Sequence, residues 1–360
     1  MAQLEQVDIR TAPTNLNREQ VAQAIVDISR IPTPFMDSIG RDSHSNPFFE
    51  WACDRIADPD TTNVVIDGAT APTPGGVAAV RLGNHSQISQ KTVGTSTRFE
   101  AARNVGNESL ARQVQKATWE LQHDMEAMLL ANNANVADTG TGGAAGETAG
   151  LEAWVDDEDV QTNTKSPQCY VDLSTGGITI GGWTNRTGLI IPAVTYTSVT
   201  AVNALTFDSV KDVLDALYQL GGNPTKLMAR PAVIRGLSEF MFTSSAQIAT
   251  LQRDKGEMGA AQAQASVNQL ISDYGIVVDM IPNRIQQVSG DGSPDSDTMF
   301  IYDPSHLSVS YMGGGIRSKE LPVSGLARAI QIHADYGLCV KNPDTLGAIF
   351  GIDSTAAVTA

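Results

Sequence analysis

Apolar residues step by four, three, four, four and three across Leu110, Val114, Ala117, Leu121, Met125 and Met128, which is one continuous face of a helix. Asn107 is placed to cap its start, and Glu108 sits where the helix dipole favours an acid. Asn132 and Asn133 close it. The spacing therefore predicts a helix over 107–132, about 38 Å long at about 1.5 Å per residue, with the apolar stripe packed into a core.

The other segments are shorter. Val21, Ile25 and Ile28 follow Asn17 at helical spacing, and the prolines Pro32 and Pro34 then force an extended path. A single short helix in the polar stretch 1–46 cannot fold alone and must dock on something. Phe48, Phe49, Trp51 and Ile56, the β-branched run 63–66, and Val93, Thr95 and Thr97 predict a long two-stranded excursion over 47–100. Its turn-rich tip is 67–76. Such a hairpin has too few bulky residues to build its own core, so it needs neighbours to cover it.

Residues 138–150 are rich in Gly, Ala and Thr and are expected to form a flexible loop. Beyond them, strands are expected near 170–173, 189–191 and 194–199. A helix–strand–helix unit follows: Thr206 caps a helix ended by Gly221 and Gly222, 227–229 is a buried strand, and Pro231 opens a second helix. Strands at 276–281, 298–302, 306–311, 327–340 and 346–352 complete an α+β chain with many antiparallel strands.

Composition narrows the function. The chain has 360 residues, 40 acidic and 24 basic side chains and a net charge of −16, which argues against a surface that grips nucleic-acid phosphates. With 41% apolar and 18% charged residues it is a folded chain large enough for two domains, or for one with large insertions. Cys53, Cys169 and Cys339 are widely separated and odd in number, so free thiols in a reducing cytoplasm are expected. No secretion signal is visible at the N-terminus, and the apolar stretch 127–131 is far short of the roughly 20 residues a membrane span needs.

Catalytic chemistry is not apparent. His44, His85, His123, His306 and His333 make no helical histidine pair, and neither HExxH nor GxSxG occurs. The glycines of 140–146 follow a helix and lack the GK[ST] ending of a phosphate loop. Acids at 291, 295 and 297 miss the calcium-loop pattern and read as a hairpin turn. The expectation is a protein that is not an enzyme, with no catalytic, cofactor or metal site.

The order of segments IPTPFMDSIG, FFEWACDRI, RLGNHSQISQKTVGTS, NESLARQVQKATWELQHDMEAMLL and ADYGLCVKNPDTLGAIFGI resembles the major capsid proteins of tailed bacteriophages. The resemblance covers about residues 20–352. It is to the Hong Kong 97-type fold, and most of all to the SU-ten-like family. It implies an N-arm at 1–46 and an E-loop hairpin at 47–100. It also implies a peripheral domain at 101–166 and 305–345 with the spine helix, and an axial domain at 167–304 and 346–360.

The implied function is self-assembly into hexamers and pentamers of an icosahedral head that encloses double-stranded DNA. An encapsulin-like protein compartment is the alternative. Scaffold, portal and cement proteins are candidate partners, the packaged DNA is contacted non-specifically, and no membrane is involved. The implied location is the virion, with assembly in the host cytoplasm. The chain shows no long N-terminal coiled-coil extension, so any scaffold is expected to be a separate protein or to be removed before maturation.

Some members of the fold cross-link an E-loop lysine to a neighbour's asparagine. Residues 56–90 contain no lysine here, so a non-covalent shell is expected. Four residues are candidates for subunit contact. Trp51 either anchors a contact between copies or pins the hairpin to its own domain. Arg81, His85 and Lys91, all placed on the returning strand, either pair with a neighbour's acids or remain solvated.

Overall fold

The computed structural model describes residues 31–56, 59–71, 79–98, 110–159, 164–167, 169–179, 188–192, 199, 201–243, 269–286, 296–322, 325 and 327–359. The expected arm helix at 21–28, the caps Asn107 and Glu108 and the turn at 291–295 lie outside these residues. So do the second half of the hairpin tip and most of the strand expected at 194–199.

In chain order the described elements begin with α1 (Pro34–Ser38), β1 (Gly40–His44), β2 (Phe48–Cys53), β3 (Val80–His85), β4 (Gln87–Ser96) and α2 (Leu110–Leu130). Then come β5 (Asp156–Asp159), β6 (Thr164–Pro167), β7 (Cys169–Asp172), β8 (Gly177–Thr179), β9 (Leu189–Ile191), α3 (Phe207–Gln219), β10 (Lys226–Ala229) and α4 (Pro231–Thr243). The last are β11 (Gln269–Ile271), β12 (Val277–Pro282), β13 (Ser296–Tyr302), β14 (Leu307–Met312), β15 (Arg317–Glu320), β16 (Ala327–Val340) and β17 (Leu346–Asp353).

The chain divides into two compact units. The first takes residues 1–30, 91–119 and 318–332, and the second takes 31–90, 120–317 and 333–360. Within the first, β4 and β15 both pair with β16. Gly94 makes this approach close, since a Cβ there would lie 3.2 Å from the Arg328 carbonyl oxygen.

The second unit is built on a seven-stranded sheet in the order β11-β12-β10-β13-β17-β7-β8. Helices α3 and α4 bury Val210, Val213, Leu214, Leu217, Val233 and Leu237 against one face of it. The other face carries Phe300, Tyr302 and Phe350, also fully buried, with the Phe35 ring edge-on to Tyr302 at 5.7 Å. Being covered on both sides explains why 346–352 is almost continuously apolar and does not alternate. Gly347 lets the helix layer sit close, because a Cβ there would meet Val213 Cγ1 at 2.6 Å.

The helix–strand–helix unit forms as expected. Thr206 caps α3 by accepting from the Ser209 N–H at 3.3 Å, Gly221 ends it at φ +87°, and Pro231 opens α4.

Four expectations need correction. The strand pairing is mixed: β10–β12, β7–β17, β1–β14 and β3–β9 are parallel, made by crossovers and long returns that local alternation does not reveal. Residues 63–66 form no strand, because no partner strand lies beside them among the described residues and β-branching alone cannot create a ladder. The loop at 138–150 is tied down. Val136 and Glu147 form a bridge, the Thr139 hydroxyl accepts from the Ala144 N–H at 2.7 Å, and Gly140 and Gly142 take positive φ. Asp297 is not in a solvated turn; it lies in β13, buried, 2.6 Å from the Arg230 guanidinium.

Gly150 sets the exit of α2. The Leu151 N–H bonds the Leu129 carbonyl at 2.7 Å, and that of Gly150 bonds the Asn133 carbonyl at 3.3 Å, so the returning chain caps the helix end. A Cβ at Gly150 would sit 1.9 Å from the Ala131 carbonyl oxygen. We therefore expect Gly150→Ala to lower stability by about 2–3 kcal/mol, a cost typical of overpacking. Denaturant unfolding of the unassembled subunit measures it, and an unchanged midpoint would contradict this packing.

Candidate functional site: the arm and its anchorage

The arm springs from the antiparallel pair β2–β3, registered Phe48 opposite His85 and Cys53 opposite Val80. Trp51 lies on β2. Its indole N–H donates to the Val340 carbonyl at 2.9 Å, and its ring lies 5.7 Å from that of the fully buried Trp154 and 5.6 Å from Phe49. The side chain thus fixes the hairpin base to its own subunit. Arg81 is 61% exposed and reaches Glu50 across the hairpin at 3.2 Å, so its nearest acid belongs to its own chain. His85 packs its ring 4.7 Å from Phe48, and burial pushes its pKa below the ordinary histidine value.

Lys91 is half-buried on β4, and Ser86 interrupts the returning chain between it and the other candidates. The single returning strand of the sequence reading is therefore two strands. β3 brings Arg81 and His85 together with Trp51 on one hairpin, whereas Lys91 lies in the other unit.

Two buried polar residues that the sequence reading passed over hold this base in place. Asn84 has no solvent exposure. Its amide donates to the Leu338 carbonyl at 2.8 Å and the Thr148 hydroxyl at 3.1 Å, and its oxygen accepts from the N–H groups of His85 at 2.9 Å and Ala149 at 3.0 Å. Thr148 completes the knot by accepting from the Leu338 N–H at 3.2 Å.

Glu126, also without exposure, lies on α2 one residue past Met125. Its two carboxylate oxygens accept from the N–H groups of Phe35 at 2.8 Å and Met36 at 2.9 Å, and Oε1 also accepts from the Asn283 amide at 2.8 Å. Burial, the largest effect, pushes this carboxyl above the ordinary glutamate range, and the three donors pull it back only in part. A signal did exist for Glu126: it lies three and four residues before the buried Leu129 and Leu130, inside the apolar face. The face itself runs through Leu129, not through Met128, which is half-buried. Asn84 left no such trace, because an asparagine beside a glycine reads as a turn.

Both side chains hold backbone groups in place through these hydrogen bonds. The described residues hold no cluster of His, Cys, Asp and Glu suited to a metal ion. No described helix is long and apolar enough to cross a membrane.

Beyond its base the arm has no strand through 54–56 and 59–71, and Val64, Val65 and Ile66 are 84, 74 and 84% exposed. A mixed sheet with helices on one face, a long helix and an arm carrying an exposed apolar run make up the fold. Solved structures of phage-capsid and encapsulin chains share it. The capsid of the cyanophage P-SCSP1u matches with a TM-score of 0.57 at 11% identity, covering 93% of each chain. The holo-SrpI encapsulin from Synechococcus elongatus PCC 7942 matches at 0.52 and 11%, covering 95% of each. The model of the SU10 major capsid protein family matches residues 8–353, and the chain belongs to that family. It is also 24% identical over 339 residues to the major capsid protein of Escherichia phage Phieco32, covering 88% of this chain and 89% of that protein. The fold is thus of the Hong Kong 97 type, and the family is one of structural subunits of phage heads.

Two outcomes follow from the anchorage. Asn84→Ala is expected to lower stability by about 3 kcal/mol or more, since it strands several buried backbone groups, whereas Arg81→Ala changes it by less than about 1 kcal/mol. Equal effects in parallel unfolding curves would refute the ranking. For Glu126, the raised native pKa means that the folded state holds the proton more tightly than the unfolded chain. The group's stabilising contribution is complete below the unfolded value, about 4.3, and is lost as pH rises through the native one. Relative to Glu126→Gln, the unmodified chain should therefore lose stability as pH rises from the unfolded value through the raised native one. A pH-independent difference between the two would be inconsistent with it.

Proposed function

We propose that copies of this chain assemble into hexamers and pentamers that close an icosahedral head around double-stranded DNA. The observation that carries the reading is the uncovered arm. Ile56, Val64, Val65 and Ile66 are all at least 74% exposed, a set of large apolar side chains that water does not favour and the described residues of its own subunit do not cover. In a closed ring the same contact repeats head to tail, so each arm finds a surface on the next copy.

On this reading residues 1–46 are the N-arm and 47–100 the E-loop. Residues 101–166 with 305–345 form the peripheral domain, and 167–304 with 346–360 the axial domain. The shell is non-covalent, because residues 56–90 supply no lysine for a cross-link. Scaffold, portal and cement proteins are the accessory partners, and assembly takes place in the host cytoplasm. The net charge of −16 suits a container whose wall does not clasp its genome, since packed DNA has to slide in and out. The encapsulin likeness extends to the fold alone, and family membership favours the phage head.

Expression followed by negative-stain electron microscopy tests the reading. Uniform shells or capsomers are expected, and boiling them in denaturant should release a single monomer band. A persistent monodisperse monomer would overturn the assembly reading, and a ladder of covalent oligomers would overturn the non-covalent one.

A further inference from the structure

Strand β1 depends on a single side chain. It lies at the edge of the sheet ordered β1-β14-β16-β15 and runs parallel to β14, with His44 beside Met312. Arg41, Asp42 and Ser43 are exposed, and of the strand's side chains only His44 is half-buried. An edge ladder with so little packed surface opens easily, so the hold of His44 decides whether β1 stays on the sheet.

That hold has two parts. The His44 ring stacks on Phe49 of β2, with centroids 4.5 Å apart and planes 18° apart. Its Nδ1 shares a hydrogen bond with the Ser310 hydroxyl of β14 at 2.9 Å. Phe49 is itself seated over Gly337, where a Cβ would lie 2.6 Å from the ring atom Cε1. The stack and the hydrogen bond thus tie β1 to two neighbouring strands.

The other ring nitrogen makes the hold sensitive to charge. His44 Nε2 is buried without a hydrogen-bond partner among the described residues. A neutral imidazole donates from one nitrogen only, and Ser310 can take that bond; an imidazolium donates from both. The closed site offers the second donor no acceptor, and an unbonded charged donor away from water is costly. The titratable and charged groups around the ring are Asp42 on β1, Glu50 on β2, Arg317 on β15, and His333, Asp335 and Cys339 on β16. Burial pushes His44 below the ordinary histidine value, and the charges of Asp335 and Asp42 oppose this without cancelling it. The ring borders two cavities, of about 570 and 630 Å³, so it has room to swing out of its stack.

We propose that His44 is a proton-operated latch: on taking up a proton its ring leaves Phe49 and Ser310, and β1 comes off the edge of β14. Strand β1 joins the Glu126-held α1 to the hairpin strand β2, so its release uncouples the two. The latch belongs to the single subunit and does not rest on the assembly reading. Because the native value is the lower one, the latch's contribution is complete above the unfolded histidine value, about 6.5. It is lost as pH falls through the native one. This is the opposite sense to Glu126, whose contribution is lost as pH rises. His85, against Phe48 on the other face of β2, is also lowered by burial, and a control is needed to separate the two histidines.

Hydrogen exchange of the full chain tests this, read by mass spectrometry at about pH 7.5 and about pH 5.5 and corrected for the intrinsic pH dependence of exchange. Peptides covering 40–46 are expected to lose protection by about three- to tenfold at the lower pH, the range one coupled proton allows. Strand β10, inside the seven-stranded sheet, should keep its protection. His44→Phe preserves a ring on Phe49 but takes up no proton, and its 40–46 peptides should show no pH response. His44→Gln serves in its place if that variant does not fold, and the unmodified chain's own profile decides if neither does. His85→Phe should retain the response. Protection at 40–46 that does not change with pH overturns the latch, as does a loss that survives in His44→Phe or disappears in His85→Phe. An equal loss at β10 marks global unfolding and overturns it too.

Discussion

One carboxylate, sealed from water, holds three distant stretches of this chain at a single point. Glu126 projects from α2, takes the first N–H groups of the short helix α1 and takes the amide of Asn283 at the end of β12. Alpha1 is only five residues long and cannot persist by itself. Fixed by Glu126, it places Phe35 edge-on to Tyr302 and sets the Ser38 hydroxyl 2.9 Å from the Tyr302 phenol. That is how the second face of the seven-stranded sheet comes to be covered, and why β13 and β17 can be apolar on both sides. The arrangement is a specificity device more than a source of net stability. Desolvating the carboxyl offsets much of what its hydrogen bonds contribute, while removing it would strand three donors.

Asn84 does for the arm what Glu126 does for the sheet. It joins β3 to β16 and to the segment at 148–149 through backbone groups, so the root of the hairpin is rigid in three directions. Trp51 adds a fourth tie through Val340. The contrast with residues 59–71 is sharp: a root tied to its own subunit carries an extension with no strand and an exposed apolar run.

How far the sequence revealed this depends on whether the signal is local. The long helix, the helix–strand–helix unit with its Thr206 cap, and the terminal strands all follow from periodicity and capping, which are set within a few residues. The polar knots are non-local. Asn84 meets Leu338 across more than 250 positions, and no short window contains both. The same limit explains Asp297, read as a turn acid although its partner Arg230 lies far upstream, and residues 63–66, whose β-branched composition has no strand to pair with among the described residues. At 138–150 the glycines suggested looseness, yet Gly140, Gly142 and Gly150 are there because a tight, close-packed return needs them. Of the candidates for subunit contact, Trp51 and Arg81 find partners in their own chain, because the fold sets the Val340 carbonyl and the Glu50 carboxylate beside them.

The chemistry of the thiols fits the same logic. Burial pushes Cys169 up to about 12 and Cys339 up to about 11, so both stay protonated and inert at any cellular pH. On the proposed assembly, cohesion between copies comes from covering apolar surface. That reading accounts for the low charged fraction, 18%, better than a large core alone. A monomer optimised for solution would place charge where this chain places valine and isoleucine. Surface that is to be buried repeatedly between copies is constrained as a core is, and its residues are chosen accordingly.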